Sequence, residues 1–266
     1  MNLFINHCHV FPKSILENGW AKEKGTIPNL KSCLEKLGAE KAIVFALLKG
    51  NPAFTAIDGN EWLLKEIREE SNLYGFASIT PTEKGAAEEL RKYISSGFVG
   101  VKLHPVVQKF QINDPAAEEF YTAAEELKIP VLFHTGVHGW YLKKYRPILL
   151  DEVAQNHPNL PIIIEHVGGY AFFDEALAVL QNNKNCYAGI AQTRNKKIPW
   201  YLPLERLKVL LEMIGAERII YGADFPWNSC AEIKEDIRFV NNLEITSEAK
   251  EKILGGNISR LIAPKR

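Results

Sequence analysis

The chain has 266 residues, 46% of them hydrophobic and 24% charged, which suits a globular enzyme with a full core, either one large α/β barrel or two small domains. Its 32 Lys and Arg balance its 32 Asp and Glu, so no net field draws a polyanion, which argues against nucleic acid as the main partner. No apolar run approaches the roughly 20 residues that span a bilayer, and a cleaved leader would carry away His7 and His9, so neither a membrane span nor a signal peptide is expected.

Short apolar segments alternate with amphipathic ones throughout. The predicted strands, in chain order, are Leu3–Cys8, Lys41–Leu47, Leu73–Ile79, Phe98–His104, Pro130–Thr135, Pro161–His166, Asn185–Ile190 and Arg218–Asp224. Runs such as Val131-Leu132-Phe133 and Ile162-Ile163-Ile164 are what parallel strands buried on both faces require. Between them, Trp62, Leu63 and Ile67 share a helical face, as do Leu90, Tyr93 and Ile94, and Leu207, Leu210, Leu211 and Ile214. Pro115 and Pro147 are placed for first helical turns, and Gly38 and Gly215 for left-handed caps. There is no linker or low-complexity tract, so a single domain over residues 1–266 is expected. An open doubly wound sheet would show the same alternation, but eight strands favour a closed (β/α)₈ TIM barrel. Cys8, Cys33, Cys186 and Cys230 form no Cys-x-x-Cys pair, which predicts free thiols and a cytoplasmic protein.

His7-Cys8-His9 ends the first strand. Alternation along a strand gives the two histidines one face and turns Cys8 away, so both imidazoles can reach one metal. His134, His166 and Asp224 each stand where an apolar strand stops, which in a parallel barrel is the catalytic mouth. The expected metal ligands are therefore His7, His9, His134 and Asp224. Three imidazoles and a carboxylate suit zinc, with manganese, iron or cobalt as alternatives. Asp224 could also accept a proton from activated water, and His166 would polarise a carbonyl or shuttle a proton.

The motifs His7-x-His9, His134-Thr135-Gly136, Ile164-Glu165-His166-Val167-Gly168-Gly169, Tyr221-Gly222-Ala223-Asp224-Phe225-Pro226-Trp227 and Gly256-Asn257-Ile258-Ser259-Arg260-Leu261 together resemble the amidohydrolase superfamily. The resemblance is to the amidohydrolase-related branch that contains aminocarboxymuconate semialdehyde decarboxylase, and it runs the whole chain. It implies a barrel, a divalent metal, and hydrolysis, hydration or non-oxidative decarboxylation of small carbonyl or carboxylate compounds. One departure is Ile5, where the family often has an aspartate that supports the first histidine.

Lys102 and His104 share a face at the end of the fourth strand. Lys102 reads as a substrate-carboxylate anchor or a buried counter-ion. Similarity to dihydroorotase-like members implies a second arrangement, in which a carboxylated Lys102 bridges two metals and His134 and His166 bind the second one. Carboxylation needs a neutral amine, hence a depressed pKa. His104 would support the site or, with Trp227, contact substrate. His138 reads as a surface loop residue or a specificity contact, Trp200 as part of a lid, and His157 as structural, on the opposite side of the barrel.

The expected activity is a metal-dependent hydrolase in which water attacks an amide, lactone or ester carbonyl of a small molecule. The alternative on the same site is a lyase, decarboxylating or hydrating a small unsaturated acid. A phosphodiesterase and a non-catalytic barrel fit less well. Analogy suggests a homodimer.

Overall fold

A computed structural model describes residues 3–16, 25–46, 57–191 and 196–263. Eight parallel strands close into one barrel in the order of the chain: β1 (Leu3–His9), β2 (Ala39–Phe45), β3 (Leu73–Ala77), β4 (Gly100–Leu103), β5 (Val131–His134), β6 (Ile162–Glu165), β7 (Cys186–Ile190) and β8 (Ile219–Phe225). All eight expected strands are present. β2 starts two residues earlier than expected, and its expected end at Leu47 lies outside the described residues. β1 closes the ring by pairing with both β2 and β8.

Alternation divides the strand residues between two apolar layers. Val101, Val131, Phe133, Ile162, Ile164, Ile219 and Tyr221 pack outward under the helices. Phe4, Ile43, Phe45, Phe76, Leu132, Ile163 and Ile220 fill the barrel, and Ile258 and Leu261 of the closing helix Asn257–Ile262 join them. With the interior filled from below, polar inward positions are left to the C-terminal ends of the strands.

The helical faces follow the sequence spacing. Leu63 is buried on Gly59–Ile67, Leu90 and Tyr93 on Ala86–Ser95, and Leu207, Leu210 and Ile214 on Glu205–Ile214. Gly38 has the expected left-handed cap, with φ 66° and ψ 29°. Gly215 instead has φ 75° and ψ 161°, a glycine-only extended geometry that leads into a short 3₁₀ turn at Ala216–Arg218. Pro115 opens a 3₁₀ turn, capped by the Asp114 side chain, that runs into the helix Glu118–Glu126. Pro147 lies two residues ahead of Leu149–Asn156.

The expectation of four free thiols is corrected. Cys33, on the helix Ile27–Leu37, forms a disulfide with Cys230, the first residue of Cys230–Asn241, with their Cα atoms 5.6 Å apart. Their sequence separation of 197 residues hides the pairing, because only barrel closure brings these two helices together. The thiol argument for a cytoplasmic protein then rests on Cys8 and Cys186 alone, both buried. No helix among the described residues is long and apolar enough to cross a membrane. Thiol titration of unreduced protein in denaturant should report two reactive groups, Cys8 and Cys186; four would show that the Cys33–Cys230 pair does not form.

Candidate metal centre

The inward polar positions gather at the mouth of the barrel. On β1, Leu3 and Ile5 belong to the outer layer and Phe4 to the inner one, so unbroken alternation would turn His7 outward and Cys8 inward. A register irregularity between Asn6 and Cys8, with His7 at φ 63°, reverses the parity. Cys8 then joins the outer layer, and His7 and His9 both enter the mouth. The shared face expected from the sequence is real, and the bulge turns it inward.

His7 Nε2 lies 3.3 Å from His9 Nε2 and 3.3 Å from Asp224 Oδ1, and His9 Nε2 lies 3.4 Å from that same oxygen. The three donor atoms form a nearly equilateral triangle. A tetrahedral cation with bonds near 2.0–2.1 Å sets its ligand atoms about 3.4 Å apart, so the triangle has the dimensions of three corners of such a shell.

The other expected residues share the mouth but not the triangle. His134 stacks on His104, with ring centroids 3.9 Å apart and planes within 9°, and both group with His138. His166 sits between the two sets, its ring 5.3 Å from His7 and 4.8 Å from His134. Trp200 stacks on His138 at 4.5 Å, and it packs so closely on Gly136 and Gly169 that a Cβ at Gly136 would fall 2.7 Å from its Cβ and one at Gly169 2.8 Å from its Cα. This close approach accounts for the glycines in His134-Thr135-Gly136 and His166-Val167-Gly168-Gly169. Thr135 Oγ1 donates to the Glu165 carbonyl and accepts from Gly168 N–H, each at 2.7 Å, tying β5 to the turn after β6. Trp227 edges onto His9, 6.2 Å between centroids. His157 is buried away from the mouth at a helix C-terminus, within 3.5 Å of carboxylate oxygens of Glu118 and Glu125.

Lys102 is fully buried, its Nζ has no hydrogen-bond partner among the described residues, and it lies 5.4 Å from the centre of the Phe45 ring. Burial pulls its pKa down to about 8, against the opposing pull of Glu165 and Asp224. The depressed pKa that carboxylation would require is therefore present, and full burial favours the counter-ion role over an exposed anchor.

Sequence reasoning missed Glu165. It has no exposed surface, its Oε2 accepts a hydrogen bond from Asn6 Nδ2 at 3.3 Å, and it lies 3.0 Å from His7 Nδ1. A lone carboxylate two residues beyond the inward Ile163 was the available signal, since parity sends it into the barrel.

Burial keeps the imidazoles neutral. It lowers His7, His9, His104 and His134, and brings His166 down to about 3. Burial alone would raise Asp224, but His7, the hydrogen bond from His9 and His166 outweigh it and hold the carboxyl well below its usual range. Unprotonated imidazoles beside an ionised carboxylate are a donor set for a divalent cation.

The model of the amidohydrolase family matches residues 20–262. This chain belongs to the amidohydrolase family. Amidohydrolases are metal-dependent, which agrees with the donor set. A TIM-barrel protein from Bordetella bronchiseptica is 18% identical to this amidohydrolase, with 99% of each chain covered and a TM-score of 0.77. The 2,6-dihydroxybenzoate decarboxylase from Rhizobium is 16% identical, with 98% of each chain covered and a TM-score of 0.75. A dihydroxybenzoic acid decarboxylase from Polaromonas, solved with manganese and 2-nitroresorcinol, is 16% identical, covering 100% of this chain and 98% of its own, with a TM-score of 0.74. At these identities the structural likeness carries the fold alone.

The buried histidines of this amidohydrolase titrate lower in the fold than in the unfolded chain. As pH falls below about 6.5 the unfolded state takes up protons first, so stability is lost through that range. For His166 the window runs from about 6.5 down to about 3. In metal-stripped protein, urea unfolding at pH 6 and pH 5 should show wild type losing about 1 kcal/mol more than His166→Gln. Equal losses would contradict a neutral, buried His166.

Proposed function

We propose that this amidohydrolase is a zinc-dependent hydrolase in which water attacks an amide, lactone or ester carbonyl of a small molecule. The observation that carries the reading is the triangle of His7 Nε2, His9 Nε2 and Asp224 Oδ1 at 3.3–3.4 Å. His7, His9 and Asp224 would hold one cation, with His134 approaching from across His166. A bound divalent cation would supply Lewis acidity toward the carbonyl and lower the pKa of water.

The protein groups do the remainder. Asp224, kept ionised, is ready to accept the proton that water loses on attack. His166, kept neutral, can donate a hydrogen bond to the developing oxyanion without bringing a positive charge of its own. Lys102 serves as counter-ion to Glu165 and Asp224, which supports a single-metal centre; carboxylation of the same amine would give the two-metal version, with His134 and His166 on the second ion. His104 and Trp227 would contact substrate, and the Trp200–His138 stack would form the opposite wall. A small neutral or weakly charged substrate suits the balanced net charge.

A second reading, non-oxidative decarboxylation or hydration of a small unsaturated acid, is favoured by the two decarboxylases of like fold. In a screen of lactones, amides, esters and unsaturated acids, Asp224→Asn should lower kcat at least about 100-fold with the fold intact by circular dichroism. Chelation should abolish turnover, and zinc should restore it. Full turnover in metal-stripped protein would refute the proposal, and carbon dioxide release in place of hydrolysis would transfer the assignment to the lyase.

A further inference from the structure

We propose that Glu165 is a positioning residue for His7, holding its ring as the Nδ1–H tautomer so that the bare Nε2 faces His9 and Asp224. The inference rests on the metal reading for its consequence, but its geometry stands apart from it.

β1 brings no carboxylate of its own to His7, because Ile5 lies in the outer apolar layer. The carboxylate comes from across the barrel, on β6. Glu165 Oε2 stands 3.0 Å from His7 Nδ1, in ion-pairing range though not aligned as an ideal hydrogen bond, and also accepts the Asn6 amide at 3.3 Å. At that separation a carboxylate oxygen and an unprotonated ring nitrogen would oppose their lone pairs. Nε2 also faces a carboxylate, Asp224 at 3.3 Å, but Asp224 already takes a hydrogen bond from His9 and Glu165 is the nearer of the two, so the proton belongs on Nδ1 and Nε2 keeps the metal-facing lone pair.

The barrel is shaped around this carboxylate. The inward positions beside it on β7 and β8 are Gly189 and Gly222. A Cβ at Gly189 would fall 2.7 Å from Glu165 Oε2, and one at Gly222 would fall 3.1 Å from Oε1 and 3.2 Å from His7 Cβ. Glycine inside a strand gives up packing and chain entropy, and the space it leaves is filled here by a charged group. Burying that charge is costly: burial raises the Glu165 pKa, His166 and Lys102 oppose the rise, and Asn6 and His7 lie directly against the carboxylate. Were Glu165 only a counter-ion for Lys102, its loss would leave the His7 tautomer alone.

Long-range ¹⁵N–¹H correlation of histidine-labelled, metal-stripped protein reads the tautomer directly, with His7→Gln assigning the signal. Wild type should show Nδ1–H at His7. Glu165→Met, which removes both charge and acceptor, should shift His7 toward Nε2–H and weaken cobalt(II) binding roughly 10–100-fold, with a changed d–d spectrum. Glu165→Gln, which keeps an acceptor, should fall between. If Glu165→Met fails to fold, Gly189→Ala displaces the same carboxylate and should move both readouts the same way. An Nε2–H tautomer in wild type overturns the proposal, as does a folded variant with unchanged tautomer and unchanged cobalt affinity. A wild type with Nδ1–H at His7 that binds no cobalt would leave Glu165 in place and remove the metal reading instead.

Discussion

The site depends on left-handed backbone at three positions, at two of which the side chain would otherwise be lost to the wrong face. His7, His166 and Asp224 have φ of 63°, 64° and 50°, and none is glycine. Each such residue costs on the order of 1 kcal/mol or more, and such strain persists where surrounding structure fixes it. At β1 and β6 the effect is the same. Asn6 and Glu165 point inward by ordinary alternation, and the left-handed residue after each turns His7 and His166 inward too. Two strands thus deliver four polar side chains where alternation would deliver two. The contact of Glu165 with both Asn6 and His7 requires this doubling.

Packing and charge follow from the same crowding. Inner-layer apolar side chains, with Ile258 and Leu261 beneath, fill the lower barrel, and the polar side chains His7, Lys102, His134, Glu165, His166 and Asp224 above them are buried. In a buried site the charged form of a group survives only where neighbours support it. The imidazoles lose their protons, whereas Asp224 keeps its charge because His7, His9 and His166 surround it. The mouth thereby sorts its groups into neutral donors and one ionised acceptor, a division suited to holding a cation and taking up a proton.

The fold was largely legible because parallel strands buried on both faces produce continuous apolar runs, and their ends mark the mouth. Inward parity placed Lys102, His104, His134 and Asp224 correctly from spacing alone. Parity failed at His7, since a bulge leaves no signature in a run such as Ile5-Asn6-His7-Cys8. It would also have found Glu165, but the adjacent His166 drew the chemical reading to itself. The grouping of His134 with His104 and His138 depends on how neighbouring strands stagger, which spacing within one strand does not encode. The Cys33–Cys230 pair depends on closure of the whole barrel, which brings the helix after β1 against the helix after β8.

The central claim is that the His7, His9 and Asp224 donors form one face of a cation shell. Anomalous diffraction at the zinc edge, from crystals grown with saturating zinc, tests it most directly. The account predicts a peak about 2.0–2.2 Å from His7 Nε2, His9 Nε2 and Asp224 Oδ1. A peak held by His104, His134 and His138 alone, or no peak in the mouth, would contradict it.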